Sequence, residues 1–262
     1  MRLKRGVKRV DYTINLCTFI LAINRPMKVC VFMSDNRPLD NSIDTAEYNS
    51  LVASINYAYC KKYNYDFIYY RPYINDKNNH SLYNCIDPNT KELRHASWSK
   101  LLSTSQILDL NYDYVVYIDS DCIFKDFNLT LDKFIEPITS APIIFLNNKP
   151  WNSDKPCAGF YICKVCDETK QFIKGWYNYK LPSNNKNHTW EQEALWRILK
   201  NINMNIIDSI MFLEKEGQYL RHVSSYEKNI RTEYFLNFIK TNNIIYDVAS
   251  INVIEYDTTS LC

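Results

Sequence analysis

Hydrophobic and polar positions follow two different periods along the first half of the chain. An apolar run at residues 27–33 is rich in β-forming residues and ends in the polar Ser34-Asp35-Asn36. Over residues 47–63, apolar positions recur every three or four residues, as on one face of a helix. Asn64 is suited to end that helix, and an apolar strand is predicted at residues 66–70. The pattern predicts a βαβ unit with parallel strands and a right-handed crossover.

The alternation continues beyond a polar, Asn-rich connection at residues 71–95. A helical stripe over 98–108 leads into a buried strand at 113–118, which stops at Asp119-Ser120-Asp121. Further strands are predicted at 142–146, 158–163 and 204–207, with a helix at 191–200 and one more strand after residue 241. Such alternation predicts an α/β fold with a mostly parallel central sheet flanked by helices. Ligands of these sheets bind beyond the carboxyl ends of the strands, where Asp119 and Asp121 lie.

Glycine is scarce in this chain, and the shortage excludes some ways of binding phosphate. There are 4 glycines in 262 residues, whereas average usage of about 7% would give roughly 18. No two lie close enough to form a Gly-rich dinucleotide loop or a Walker-type phosphate loop. Any phosphate must therefore be bound by side chains, a metal ion or isolated amides. The hydrophobic content of 46% supports a full core and excludes a disordered chain.

The charge distribution argues against a nucleic-acid partner. Lysine and arginine total 31 and the acidic residues 29, but five of the basic residues fall within the first nine. The rest of the chain is close to neutral and offers no basic face. The basic start precedes an apolar stretch at 14–23, which is typical of a signal peptide but too short to span a bilayer and lacks a small-residue cleavage site. Residues 1–26 are therefore a membrane-contacting segment or a simple extension ahead of one domain at 27–262.

The nine cysteines are scattered rather than arranged as a disulfide framework. Cys163 and Cys166 form a lone C-x-x-C with no second pair and no nearby histidine, which disfavours a zinc site. Several others lie in apolar runs, where free cysteine behaves as a small hydrophobe. These features favour a reducing, cytoplasmic setting.

The segment at 113–121 carries the clearest candidate chemistry. A hydrophobic strand delivers Asp119 and Asp121, which point to the same side if the chain stays extended. Two carboxylates so close repel each other unless a proton or a cation intervenes, and their hard oxygens suit Mg²⁺ or Mn²⁺. A divalent ion there would bind a pyrophosphate and neutralise it as it leaves. The alternative is a solvated turn with two capping aspartates.

Four motifs appear in a fixed order along the chain. Trp98-Ser99-Lys100 leads into the Asp-x-Asp pair, and a glycine-containing strand at 157–162, Glu191-Gln192 at a helix start and a late segment from His222 to Lys228 follow. Together they resemble GT-A-fold, nucleotide-sugar-dependent glycosyltransferases over residues 27–240. The resemblance is nearest to the retaining families 8 (glycogenin-like and bacterial lipopolysaccharide transferases) and 34 (galactosyl, mannosyl and xylosyl transferases). It implies a single Rossmann-like GT-A domain.

The resemblance also implies a metal site. Asp119, Asp121 and His222 would bind the ion, and an imidazole beside two carboxylates favours Mn²⁺ over Mg²⁺. For His222 the alternative is a structural histidine. Lys228 would face the diphosphate, but the family's glycine before it is Ser225 here, and its proline after it is Asn229. Arg231 is the alternative phosphate partner.

The remaining site residues are assigned to the donor by the same resemblance. Glu191 and Gln192 would contact the transferred sugar as catalytic residues, although Glu191 also suits the positive end of a helix dipole. The nucleotide-sugar would be bound by Asp35, Asn36, Lys100, Asp119, Gly159 and Lys228. For Gly159 the alternative is close packing in a strand, and for Lys100 an exposed place on a helix.

The function implied is metal-dependent and retaining. A hexose or pentose would pass from a nucleoside-diphosphate sugar, with UDP the expected nucleotide, to a hydroxyl of a glycan or protein acceptor. No nucleophile for a double displacement is evident, and the mechanism that the resemblance implies is attack by the acceptor on the face that the phosphate leaves. The main alternative is a non-catalytic glycan- or nucleotide-binding protein on the same scaffold. A sugar-1-phosphate nucleotidyltransferase would need a Gly-rich loop after the first strand, and residues 34–38 supply none.

Overall fold

The computed structural model describes residues 27–76, 78, 81–135, 142–148, 152–181, 190–201, 211–213, 217, 219–224 and 226–261. The N-terminal segment at 1–26 and the predicted strand at 204–207 therefore lie outside the described residues. In the described part of the chain, no helix combines the length and the apolar character needed to cross a bilayer.

Strands and helices follow one another along the described residues. The strands are β1 (Val29–Ser34), β2 (Asp66–Tyr73), β3 (Tyr83–Ile86), β4 (Leu93–His95), β5 (Tyr114–Ile118), β6 (Cys122–Phe124), β7 (Ile143–Asn148), β8 (Asn152–Lys164), β9 (Met211–Leu213), β10 (Leu220–His222) and β11 (Asn252–Asp257). The helices are α1 (Tyr48–Tyr63), α2 (Ser99–Ile107), α3 (Asp132–Ile135), α4 (Asp167–Tyr177), α5 (Trp190–Asn201) and α6 (Lys228–Thr241).

The central sheet has the strand order β11-β2-β1-β5-β8-β7-β9 within the described residues. Four of its neighbouring pairs are parallel: β11 with β2, β2 with β1, β1 with β5, and β7 with β9. Strand β8 runs antiparallel to both of its neighbours, β5 and β7. The prediction of an α/β fold with a mostly parallel central sheet is confirmed, and so is the predicted strand in the C-terminal tail, which is β11.

The first βαβ unit also forms as the hydrophobic pattern predicts. Strands β1 and β2 pair in parallel, with Ser34 opposite Tyr70. Helix α1 connects them, and its C-cap is Asn64, whose φ of 57° lies in the left-handed region. Asparagine tolerates that conformation better than most residues and commonly ends helices there. The prediction that Asn64 ends this helix is confirmed.

The polar stretch at 71–95 is more ordered than the sequence indicates. It extends β2 to Tyr73 and then forms the antiparallel pair of β3 and β4. Arg94 holds this hairpin to the domain, because its buried guanidinium donates to Asp87 at 2.8 Å and to the backbone oxygen of Tyr177 at 2.6 Å. The expectation of a plain connection is wrong because strands of three and four residues are too short for their periodicity to stand out among polar neighbours.

Two hydrophobic layers cover the faces of the sheet. Along β1, Val31 and Met33 face one layer, while Cys30 and Phe32 face the other. Helices α1 and α6 pack into the first layer, and α2, α4 and α5 pack into the second. Because β1 and β5 are parallel neighbours in the middle of this sandwich, the residues that follow both strands emerge at the same edge of the sheet.

Candidate active site

A cavity of about 430 Å³ opens at the carboxyl ends of β1 and β5. Residues that follow both strands line it, together with the starts of α2 and α5 and the end of the β3–β4 hairpin. Seven of the residues predicted to form a site are in the lining: Asp35, Asn36, Lys100, Asp119, Asp121, Glu191 and Gln192. The other three, Gly159, His222 and Lys228, are not among the lining residues.

His222 lies next to the carboxylate pair through strand pairing rather than sequence proximity. Strand β10 runs antiparallel to β6, with His222 opposite Cys122. Nε2 of His222 is therefore 2.9 Å from Oδ1 of Asp121, although 101 residues separate them, and 3.9 Å from Oδ2 of Asp119. One potential ligand atom from each of the three residues lies within 4.8 Å of the other two.

This trio of side chains fits a divalent cation. Two carboxylates and one imidazole form a donor set that suits Mn²⁺, with Mg²⁺ favoured less because of the nitrogen. Neighbouring ligands of an octahedral ion with bonds of about 2.1 Å lie about 3 Å apart, close to the 2.9 Å between Asp121 and His222. Gly159 makes the room for them, since a Cβ at this position would overlap the imidazole and lie 2.9 Å from Oδ2 of Asp119.

Asp121 and His222 stabilise each other's charge. Burial alone would lower the pKa of His222, but the charge and the hydrogen bond of Asp121 outweigh it and raise that pKa to about 10. Burial would likewise raise the pKa of Asp121, yet His222, followed by Arg231, lowers it to about 2. A metal ion binds the neutral imidazole, so cation binding here would release a proton from His222.

Lys100 links the carboxylate pair to helix α5. Only 4% of the residue is exposed, and its Nζ lies 3.0 Å from Oδ1 of Asp119 and 3.0 Å from Oε1 of Glu191. The same ammonium group donates to the backbone oxygen of Ala158 at 3.3 Å. Burial would lower the pKa of Lys100, but the two carboxylates raise it well above its usual range. Lys100 is thus a charged bridge inside the site and not an exposed helix residue.

Glu191 and Gln192 are held at the cavity wall by polar contacts with neighbouring residues. Burial would raise the pKa of Glu191, but Lys100 and a hydrogen bond from Ser97 lower it, so the carboxyl group is ionised. Oε1 of Gln192 accepts a hydrogen bond from the backbone N–H of Ala158 at 3.0 Å. The amide nitrogen of Gln192 can still donate to a ligand in the cavity.

The residues after β1 form a second charged group. Arg37 donates to both oxygens of Asp35, from Nε to Oδ1 at 2.9 Å and from Nη2 to Oδ2 at 2.5 Å. Burial would raise the pKa of Asp35, but Arg37 outweighs it and lowers that pKa. Asn36 is 9% exposed and donates to the backbone oxygen of Ser81 at 2.7 Å. Arg37 is not among the site residues predicted from the sequence, although its position just beyond the end of a strand could have indicated it.

Lys228 and Arg231 share the first turn of α6 but pair with different carboxylates. Nζ of Lys228 lies 2.5 Å from Oε1 of Glu47, and the Lys228 side chain is 56% exposed. Nη1 of Arg231 lies 3.0 Å from Oδ2 of Asp121. In this structure it is Arg231, and not Lys228, that reaches the carboxylate pair.

An aromatic pair also lines the cavity. The rings of His95 and Trp190 are stacked, with centroids 3.6 Å apart and planes 6° from parallel. Both residues line the cavity next to Glu191. Neither stood out in the sequence, because His95 ends a three-residue strand and Trp190 precedes the predicted helix by one residue.

Comparison with known proteins finds similarity of fold and no similarity of sequence. No protein-family model matches the chain, and no curated protein matches its sequence. The chain is similar to the solved structure of a glycosyltransferase involved in the glycosylation of the major capsid of PBCV-1, with a TM-score of 0.57, 11% identity and coverage of 79% of this chain and 98% of that one. It also matches the glycosyltransferase GlyE of Streptococcus pneumoniae TIGR4, with a TM-score of 0.46, 10% identity and coverage of 86% and 66%. At 11% identity, the likeness to the first of these structures shows a shared fold and not a shared reaction.

Proposed function

We propose that this protein is a metal-dependent, retaining glycosyltransferase. It would take a hexose or pentose from a nucleoside-diphosphate sugar, with UDP the expected nucleotide, and transfer it to a hydroxyl of a glycan or protein acceptor. The observation that carries this proposal is the meeting of Asp119, Asp121 and His222 around Gly159, beside a cavity at the ligand-binding edge of the sheet. The fold shared with a solved glycosyltransferase supports it.

The metal would be held by Asp119, Asp121 and His222, with Mn²⁺ preferred to Mg²⁺. When bound, the ion supplies positive charge that stabilises the departing diphosphate. Lys100 keeps Asp119 oriented by pairing with its Oδ1 at 3.0 Å, so the other oxygen of that carboxylate, Oδ2, faces His222. Gly159 keeps the space between the two ligands open.

Donor binding would use the rest of the cavity wall. Asp35, held in place by Arg37, would accept hydrogen bonds from the ribose, and Asn36 would lie by the base. The amide nitrogen of Gln192 would donate to a hydroxyl of the transferred sugar, because Oε1 of this side chain already accepts from Ala158. These contacts would orient the sugar before it reacts.

The transfer itself would occur on one face of the sugar. The acceptor oxygen forms the new bond to the anomeric carbon as the bond to the phosphate oxygen breaks, and the acceptor proton passes to that phosphate oxygen. Glu191 is ionised and would stabilise the positive charge that develops on the sugar. Because Glu191 is paired with Lys100 at 3.0 Å, it acts in this scheme as an electrostatic group and not as a nucleophile.

The proposal is tested with a panel of donors in the presence of Mn²⁺. UDP-glucose, UDP-galactose, UDP-xylose and GDP-mannose are incubated with the protein, and release of the nucleoside diphosphate is measured. At least one donor should be hydrolysed, and Asp121→Asn should reduce that rate by about 100-fold or more. Asp109→Asn, an exposed surface carboxylate paired with Lys170, is the control for loss of one charge.

Two results of this assay would contradict the proposal in different ways. If no donor releases its nucleoside diphosphate, and if Asp121→Asn does not weaken nucleotide binding, then Asp119, Asp121 and His222 do not form the proposed donor site. Binding of a nucleotide or a glycan without turnover, at an affinity that EDTA does not change, would identify the protein as a non-catalytic binding protein on the same scaffold.

A further inference from the structure

Two arginines from distant parts of the chain contact one aromatic ring beside the carboxylate pair. Cζ of Arg37 and Cζ of Arg231 each lie 4.3 Å from the centre of the Tyr48 ring. Tyr48 begins α1 and lines the cavity, whereas Arg231 lies on α6. The attraction between a guanidinium and a tyrosine ring keeps both positive groups at this end of the cavity.

The two guanidinium groups differ in how fully they are bound. Arg37 makes a two-point contact with Asp35, which is the strongest geometry for this pair of groups. Arg231 meets Asp121 through Nη1 alone, at 3.0 Å. Its buried Nε has no hydrogen-bond acceptor among the described residues. The contact of Arg231 is therefore the weaker and more easily exchanged of the two.

Arg231 also holds a carboxylate that a metal ion would need. Oδ1 of Asp121 lies 2.9 Å from Nε2 of His222, and Oδ2 lies 3.0 Å from Nη1 of Arg231. A cation bound by Asp121 would compete with the guanidinium for the charge of the same carboxylate, and the two positive groups would repel each other. Binding of the cation therefore weakens the hold of Asp121 on Arg231.

We infer that Arg231 is an exchangeable counter-ion that pairs with Asp121 in the metal-free protein and pairs with the donor diphosphate once a cation has taken Asp121. This inference rests on the proposed function. A guanidinium binds phosphate oxygens through two parallel hydrogen bonds, which replace its single contact with Asp121. The Tyr48 ring keeps the group within reach of both partners. Metal and diphosphate thereby favour each other's binding.

The exchange predicts two effects of opposite sign for Arg231→Gln. Mn²⁺ alone should bind about three- to tenfold more tightly, because its competitor for Asp121 is gone. UDP in the presence of saturating Mn²⁺ should bind about tenfold or more weakly, because the diphosphate loses its guanidinium partner. A residue that only supported the local structure would weaken both kinds of binding when replaced.

The test measures free Mn²⁺ by electron paramagnetic resonance and UDP binding by isothermal titration calorimetry, on the full chain. Arg231→Lys keeps the charge and should keep most of the coupling between the two ligands. Lys240→Gln removes one positive charge from the exposed last turn of the same helix and should change each affinity by less than about twofold. Melting temperatures of all variants identify any that fail to fold, in which case Arg231→Lys supplies the comparison.

The outcomes separate this inference from the proposed function. Tighter Mn²⁺ binding together with weaker UDP binding in Arg231→Gln supports the exchange. Weaker Mn²⁺ binding, or unchanged UDP affinity, in that variant overturns it while leaving the proposed function intact. A wild-type protein that binds neither Mn²⁺ nor UDP overturns both.

Discussion

Gly159 on β8 lies directly against His222 on β10, so that a Cβ at position 159 would overlap Cε1 of the imidazole. The same residue accepts a hydrogen bond through its backbone oxygen from the N–H of Asp119 at 2.9 Å. One glycine therefore touches two of the three candidate metal ligands. The chain has 4 glycines, and one of them lies at this position, where a side chain would not fit.

Replacement of Gly159 should damage the metal site more than the fold. In Gly159→Ala the added methyl group must push His222 or Asp119 aside, so Mn²⁺ affinity should fall by about tenfold or more, with a loss of stability of about 1–3 kcal/mol. The measurements are Mn²⁺ titration and urea unfolding.

The matched control for this change is Gly175→Ala. Gly175 lies in helix α4, and a Cβ there would meet nothing within 4 Å. Alanine should stabilise that helix by up to about 1 kcal/mol and leave Mn²⁺ binding unchanged. Equal Mn²⁺ affinity in Gly159→Ala and Gly175→Ala would show that the ligands do not need the space at Gly159.

Loss of Lys100 should be strongly destabilising because the buried Glu191 and the partly buried Asp119 share its charge. Lys100→Met leaves Asp119 and Glu191 without their common cation, which should lower the free energy of unfolding by about 3–5 kcal/mol. Addition of Glu191→Gln to this variant should recover part of the loss, since one buried charge is then removed. Urea denaturation of the single and double variants measures both effects.

The exposed ion pair of Lys170 and Asp109 is the reference for Lys100. Nζ of Lys170 lies 2.7 Å from Oδ1 of Asp109, but both side chains are well exposed to solvent. Lys170→Met should therefore change stability by only about 0–1 kcal/mol. A Lys100→Met variant no less stable than Lys170→Met would contradict the role of Lys100 as a buried bridge.

Asn56 should stabilise strand β6, which pairs with the strand that carries His222. This fully buried side chain donates to the backbone oxygen of Cys122 at 3.0 Å and accepts from the backbone N–H of Phe124 at 3.1 Å. Asn56→Ala removes both of these buried hydrogen bonds, which should cost about 2–4 kcal/mol. Asn128→Ala, at an exposed position, should cost less than about 0.5 kcal/mol in the same unfolding assay. Similar losses in the two variants would contradict the role of Asn56.

The stability of the metal-free protein should depend on pH through His222. Its pKa rises from 6.5 to about 10 in the folded protein. Because the pKa is raised, the protonated His222 contributes its full stabilisation of the fold below pH 6.5, and this contribution is lost as the pH rises toward 10. Unfolding free energies measured in EDTA should therefore fall between pH 7 and 9.5 by up to about 1.4 kcal/mol per pH unit.

Comparison with His222→Gln isolates this contribution from other groups that titrate above pH 8. The difference in stability between wild type and variant should shrink as the pH rises. With Mn²⁺ present the trend should reverse, because the ion binds the deprotonated imidazole and its affinity grows with pH. A difference that stays constant from pH 7 to 9.5 would show that His222 does not carry a charge in the folded protein.

The sheet edge that holds the cavity could be predicted from the sequence. Buried strands such as β1 and β5 appear as short apolar runs that stop at polar residues, and parallel strands place those residues together. The antiparallel direction of β8 could not be predicted, because alternation of strands and helices indicates a parallel sheet and does not show where a strand turns back. The β3–β4 hairpin stayed hidden because its strands are short and polar.

The contacts within the site were less accessible to sequence analysis. His222 reaches Asp121 through the pairing of β10 with β6, across 101 residues. No local pattern encodes that register, and only the family resemblance grouped His222 with the two aspartates. The family resemblance implies that Lys228 faces the diphosphate, yet the structure pairs Lys228 with Glu47. A lysine on a helix is usually exposed to solvent. Lys100 can be buried because Asp119, which follows β5, and Glu191, on α5, neutralise its charge.

The most direct test of this account is calorimetric titration of UDP into the wild-type protein, with Mn²⁺ and again with EDTA. The account predicts binding with Mn²⁺, a loss of at least about tenfold in affinity with EDTA, and the same loss in Asp121→Asn with Mn²⁺ present. UDP binding of equal affinity under all three conditions would contradict a metal-dependent donor site at Asp119, Asp121 and His222.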